Sequence, residues 1–125
     1  MNLGDVTKKT VPKMTLISKP LAGGALNTRS FIPHRVHEAI GVLGAVSVAT
    51  ACMAPGSVAA SLAQSTGSGA QRRLDIEHPS GFFTVTMQVS LDGGNLLVER
   101  SALLRTARKL MRGEVYVPGH VWTVG

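Results

Sequence analysis

An uninterrupted uncharged run at 39–54, AIGVLGAVSVATACMA, constrains this chain more than any other stretch. Its apolar positions are mostly small, so a helix built from it is slim and fits where backbone approaches from every side. This predicts a buried central helix. A membrane span is the competing reading, and length decides against it: Pro55-Gly56 ends the run short of the roughly twenty residues a bilayer requires. Arg35 and Glu38 also crowd its entry. No membrane partner is therefore expected. The first turn of the predicted helix carries no strong Ser, Thr, Asp or Asn cap, so its leading N–H groups must find water, a neighbouring strand or a bound anion.

A chain of 125 residues with 44% hydrophobic content supports one packed domain of ordinary size. Only 4% is aromatic, so aliphatic side chains and Met must fill that core. The net charge of +6 is compatible with nucleic acid, an anionic surface or an acidic metabolite as partner. The basic residues are scattered except for Arg100, Arg105, Arg108, Lys109 and Arg112. No aromatic platform accompanies that group, so nucleic acid is not an expected partner. The single cysteine, Cys52, rules out an internal disulfide framework and a thiolate metal cage, which makes a reducing cytoplasm the default expectation. Residues 1–12 carry Asp5, Lys8 and Lys9 with no apolar leader segment.

Around the predicted helix the chain favours strands. Residues 10–18 alternate weakly and are rich in β-formers, 19–24 form a turn by composition, and 25–32 make a second strand ending at Pro33. Residues 34–38 lead into the helix. After it, 57–63 suit another helical turn and 64–70 a flexible loop. In 73–78 the alternation sets Leu74 and Ile76 on one face and Asp75 and Glu77 on the other. Pro79-Ser80-Gly81 breaks the chain, 82–90 alternates again, and Asp92-Gly93-Gly94-Asn95 is a hairpin signal leading into a strand from Leu96. Residues 101–112 carry a helical pattern, with Leu103, Leu104, Ala107, Leu110 and Met111 opposite Arg105, Arg108 and Arg112. Residues 113–117 then resume a strand.

Several side chains invite chemistry. His34 and His37 lie three apart, but His78, His120 or Cys52 would have to converge from distant segments to complete a zinc site, so no metal is expected. Ser80 in HPSG lacks the strand-to-helix elbow of a nucleophilic serine and is better explained as a turn or bulge. Cys52 lies toward the C-terminal end of the predicted helix, where the dipole disfavours a thiolate, and is expected to be an inert core residue. Arg29 and Ser30 at a strand end, with Arg35 and His37 before an uncapped helix start, could gather guanidinium, hydroxyl, imidazole and N–H groups around one point that suits a carboxylate. The alternative is that Arg29 and Arg35 pair with Glu38 or Asp75 on the surface. The residues alone leave the two readings even.

The segments VPKMTLIS, TRSFIPHRVHEAIGVLGAVSVATAC with MAPGSVA, LDIEHPSG and RTARKLMRGEVYVP resemble the PrpF family of isomerases, which share the diaminopimelate epimerase fold. They cover most of the chain in family order. The resemblance implies an α+β fold of two similar halves, each a mostly antiparallel β-barrel-like sheet wrapped around a central helix. Family members are much longer than this chain, so it is expected to be the single C-terminal domain of a two-domain isomerase whose N-terminal half is missing. It also argues for extended chain through 105–107, against the helical pattern there.

The resemblance further implies cofactor-independent proton-transfer tautomerisation of an unsaturated tricarboxylate-type acid. Cis-trans isomerisation of a methylated aconitate and a non-catalytic anion-binding module are the alternatives. Such a reaction needs a base, an acid and groups that stabilise enolate-like charge. Relatives place the main acid/base Cys and Lys in the N-terminal half, and the epimerases of this fold add a Cys at the start of the C-terminal helix. Here that stretch reads Ile40-Gly41-Val42-Leu43-Gly44-Ala45 and offers no thiol. The helix start can still supply N–H donors from Gly41 and Val42, with His37 as the only nearby proton carrier. Arg29 is carried over as a carboxylate ligand from its spacing to the helix, while Ser30, His34, Arg35 and His37 are placed by proximity. The expected partners are a small carboxylic-acid substrate and the missing N-terminal half. Exposure of the face that half would cover opens the way to a homo-oligomer.

Overall fold

The computed structural model describes residues 2–64 and 69–122. Six strands and two helices follow the order β1 (Met14–Ser18), β2 (Leu26–Ile32), β3 (Arg35–Val36), α1 (Val42–Met53), α2 (Val58–Leu62), β4 (Gln71–His78), β5 (Gly81–Asp92) and β6 (Asn95–Leu103). The strands form one mixed sheet curled into a half-barrel, in the order β1-β2-β4-β5-β6 with β3 added to β2. All pairings are antiparallel except β2 with β4, which the α1–α2 segment connects.

Local turn chemistry explains the long hairpins. Between β4 and β5 the reversal is the two-residue Pro79-Ser80, closed by His78 opposite Gly81, whose φ of +140 suits only glycine. Ser80 is thus a turn residue, as its motif suggested. Between β5 and β6 the turn residues Gly93 and Gly94 have φ of 55 and 86, the left-handed pair that matches the twist of a two-residue hairpin.

The core lies between the sheet and α1. Leu26, Leu74, Ile76, Val85 and Met87 from three adjacent strands meet Ala45, Val48, Ala49 and Cys52 of the helix. The small side chains of α1 let it lie close to the sheet, but they do not bury it all round. Leu43 is 82% exposed and Ser47 is exposed, because the sheet covers one side of α1 and no other described element covers the opposite one. The expectation of a helix enclosed on every side is corrected to a helix covered on one face. Among the described residues no helix is long and apolar enough to cross a membrane.

Several boundaries move for identifiable reasons. The first strand begins at Met14, leaving Pro12 outside the ladder it cannot donate to. The helix begins at Val42, three residues later than predicted, since the Ala39 N–H is taken by the His37 ring (2.9 Å) and Gly41 is extended. The short β3, unforeseen in the sequence, folds residues 35–36 back onto Phe31 and Ile32. Of the loop expected at 64–70, residues 65–68 lie outside the described residues, while the Gln64 N–H donates to Ala25 O at 2.8 Å.

Among the described residues beyond Leu103 there is no regular structure apart from a turn near 119–121. The helical pattern in 101–112 is not realised, and the extended reading for 105–107 agrees with the absence of a helix. Leu110 and Met111 are 87% and 84% exposed, so the burial that stabilises an amphipathic helix is missing. The strand predicted at 113–117 does not form either. Val115 and Tyr116 are 89% and 86% exposed, and no neighbouring strand supplies the hydrogen bonds a strand requires.

Candidate functional site

Beside the N-terminus of α1 lies a cavity of about 320 Å³, walled by Lys13, Thr15, Ser30, His37, Gly41 and Gly44. Strand alternation builds two of its walls. Thr15 and Ser30 are direct cross-strand partners of β1 and β2, and their hydroxyls lie 3.1 Å apart. Lys13 stands two residues before Thr15 and so shares its face. The floor is the helix start. Ala45 is the first residue of the turn to donate within the helix, to Gly41 O at 2.8 Å, and no side chain caps Gly41. The amides of Val42, Leu43 and Gly44 therefore have no acceptor inside α1 and carry the positive end of its dipole.

His37 is the hinge between this cavity and a wider basin of about 670 Å³ that also touches Lys8, Lys9, His34, Arg35 and Ser80. Three hydrogen bonds fix the approach to the helix: His37 N–H to Ser30 O (2.8 Å), Ala39 N–H to His37 Nδ1 (2.9 Å), and Ser80 Oγ to Glu38 O (2.7 Å). Ile40, only 4% exposed, adds an apolar anchor.

The residues singled out in the sequence divide between these spaces. Ser30, His37, Gly41 and Val42 line the cavity. His34 and Arg35 line the basin, and the His34 ring bonds through Nε2 to Thr7 O at 2.9 Å. Arg29 reaches neither. It is exposed, pairs with Leu16 on the outer face of the sheet, and its guanidinium donates to Thr28 O (2.9 Å) and Asn27 Oδ1 (3.2 Å). One residue of strand alternation separates it from Ser30, and one residue reverses the face. Asp75, offered as its surface partner, instead contacts Arg73 and accepts from Thr84 Oγ1. The cation that does reach the cavity, Lys13, was legible only through its period with Thr15.

Two further groups are settled by their surroundings. Burial pushes the Cys52 thiol up to about 11, outweighing a backbone hydrogen bond that acts the other way, so it is essentially all thiol at neutral pH. The core reading of this cysteine agrees. Glu77, assigned to the polar face of its strand, is instead buried at 3% exposure. Its carboxylate accepts the N–H groups of Leu21, Ala22 and Gly24, each at 2.8 Å. It thereby fixes the loop that leads into β2. Among the described residues no group of three or more His, Cys, Asp or Glu could hold a metal ion.

The sequence is similar to those of several isomerases. The chain is 59% identical over 117 residues to the (4E)-oxalomesaconate Delta-isomerase of Novosphingobium sp. (strain KA1), covering 94% of this chain and 32% of that protein. It is 56% identical over 122 residues to the 4-oxalomesaconate tautomerase of Pseudomonas putida (strain KT2440), covering 98% and 32% respectively. The 2-methyl-aconitate isomerase of Cupriavidus necator is 32% identical over 94 residues, covering 75% of this chain and 23% of that protein. The chain thus spans about 32% of the length of the first two relatives. The family model described as PrpF protein matches residues 3–118, nearly the whole sequence, and the chain belongs to the PrpF family.

Proposed function

We propose that this chain is the C-terminal domain of a cofactor-independent isomerase of the 4-oxalomesaconate tautomerase kind, and that its part in the reaction is to hold a substrate carboxylate. The observation that carries this reading is the cavity at the open start of α1. There unpartnered amides, two hydroxyls, an imidazole and Lys13 converge where no residue of the cavity is acidic. An anion gains from both the free donors and the helix dipole. Val42, Leu43 and Gly44 supply the amides, Ser30 and Thr15 the hydroxyls, and Lys13 the charge. Gly41, with no side chain, leaves the approach open. His34 and Arg35 stand in the adjoining basin, where a second carboxylate of a tricarboxylic acid can extend. Arg29, on the outer face, takes no part in this site, and Lys13 fills the carboxylate-binding role that the resemblance gave to Arg29.

Shifting a proton next to a conjugated carboxylate requires a base, an acid and stabilisation of the developing enolate-like charge. In this chain the amides and Lys13 provide the stabilisation. The acid/base pair belongs to the other half of the molecule, which closes the exposed side of α1 in a diaminopimelate epimerase-like arrangement.

Tautomerisation of 4-oxalomesaconate tests the division of labour. The 125-residue chain alone is expected to show no turnover above the uncatalysed rate, whereas the same chain joined in frame to the remainder of the Novosphingobium isomerase is expected to turn over substrate. Comparable turnover by the two would overturn it.

A further inference from the structure

Among the described residues His37 is the one titratable residue that lines both the cavity and the basin, and the hydrogen bonding of its ring decides what it can offer a ligand. A neutral imidazole carries a single proton, so one ring nitrogen donates and the other accepts. The Ala39 N–H can only donate, and it points at Nδ1 from 2.9 Å. Nδ1 must therefore present its lone pair, and the proton must sit on Nε2.

The backbone around the ring keeps this assignment in place. The His37 N–H is bound to Ser30 O at 2.8 Å, the Glu38 carbonyl accepts Ser80 Oγ at 2.7 Å, and Ile40 is buried in the core. Rotating the ring to expose Nδ1 would strand the Ala39 amide just ahead of the helix, in a half-buried position.

We propose that the Ala39 amide locks His37 as the Nε2–H tautomer, so that the ligand site meets a neutral, fixed N–H donor and not a general base. Nδ1 is already accepting and Nε2 already carries a proton, so neither nitrogen is free to take one from a substrate. A neutral donor strengthens its hydrogen bond as charge develops on a carboxylate or enolate oxygen, which is the role left to this chain. The inference rests on the proposed carboxylate site for its ligand, but the tautomer stands on the protein's own hydrogen bonds.

Nitrogen-15 NMR of the ring nitrogens tests it in the 125-residue chain without ligand, at a pH where the ring is neutral, with His37→Gln assigning the signals. The expected spectrum has Nε2 in the protonated range with a one-bond coupling to its proton, and Nδ1 in the unprotonated range. An Nδ1–H tautomer, or shifts averaged between two tautomers, would overturn the proposal. Citrate then probes the donor role. Its binding should move the Nε2–H proton downfield, and citrate bound with that proton unmoved would overturn the donor role. Absence of citrate binding anywhere on the chain would overturn the carboxylate site as well, while the ligand-free tautomer would still be read directly.

Discussion

Glu77→Ala should lower the stability of this domain by about 3–5 kcal/mol, measured by urea or thermal unfolding. The carboxylate is 3% exposed and accepts three backbone N–H groups, from Leu21, Ala22 and Gly24. Truncation removes the acceptor of all three donors; the Gly24 amide is buried and the bonds from Leu21 and Ala22 are part-buried, and a stranded buried group costs about 1–3 kcal/mol. Against a typical total of about 5–15 kcal/mol, that loss brings the variant close to unfolding. Glu77→Gln should cost less, about 2 kcal/mol, because one amide oxygen can still accept from Ala22 and Gly24 while the new NH₂ opposes the Leu21 donor. Equal stability of wild type and the Ala variant would contradict this account of the loop.

The same carboxylate predicts a pH dependence with a definite sign. Burial alone would raise the Glu77 carboxyl, but the three amides outweigh it and hold it below its ordinary value of 4.5. A carboxyl depressed in the folded state contributes stability that is complete above 4.5 and is lost as pH falls through the lower folded value. Wild type should therefore lose stability on acidification below 4.5, and Glu77→Gln should lose less over the same range.

Gly24→Ala is expected to cost about 2–3 kcal/mol by overpacking. A Cβ at this position would lie 2.6 Å from the Asp75 carbonyl oxygen and 2.6 Å from Glu77 Cγ. The carbonyl cannot withdraw freely, since it accepts the Ala25 N–H at 2.8 Å within the junction to β4. Because the substitution and Glu77→Ala act on the same contact, their effects should not add. Removing the Glu77 side chain relieves one of the two clashes, so the double variant should lose less than the sum of the single losses. Strict additivity in a double-mutant cycle would show that the two sites are energetically separate.

What the sequence disclosed and what it hid follow one physical division. Hairpins were legible because their signals are local: Gly93 and Gly94 adopt φ values that few other residues tolerate, and Pro79-Ser80 with Gly81 does the same for the other reversal. The helix was legible from its apolar run, but its start was not. That boundary is set by a side chain, the His37 ring, capturing the Ala39 amide ahead of the first turn.

Glu77 was hidden because strand alternation assigns it to the polar face. Its burial comes from a loop more than fifty positions away in sequence, closing over it through Leu21, Ala22 and Gly24. Arg29 and Lys13 show how the site itself was half legible. The resemblance pointed to the strand end before the helix, beside which the cavity lies, but one step of strand alternation turns Arg29 outward and the register with Thr15 and Ser30 brings Lys13 in. In 104–118 the sequence carries two periodic patterns and the structure realises neither, since a period forms an element only when another surface buries it.

An amide-resolved NMR titration of the 125-residue chain with citrate tests whether the open start of α1 binds a carboxylate. Shifts should concentrate at the amides of Val42, Leu43 and Gly44 and at the His37 ring. Binding should be about two- to fivefold weaker in Lys13→Ala, the size expected for one exposed charge, and unchanged in Arg29→Ala. Shifts confined to other surfaces, or binding lost with Arg29 and indifferent to Lys13, would contradict it.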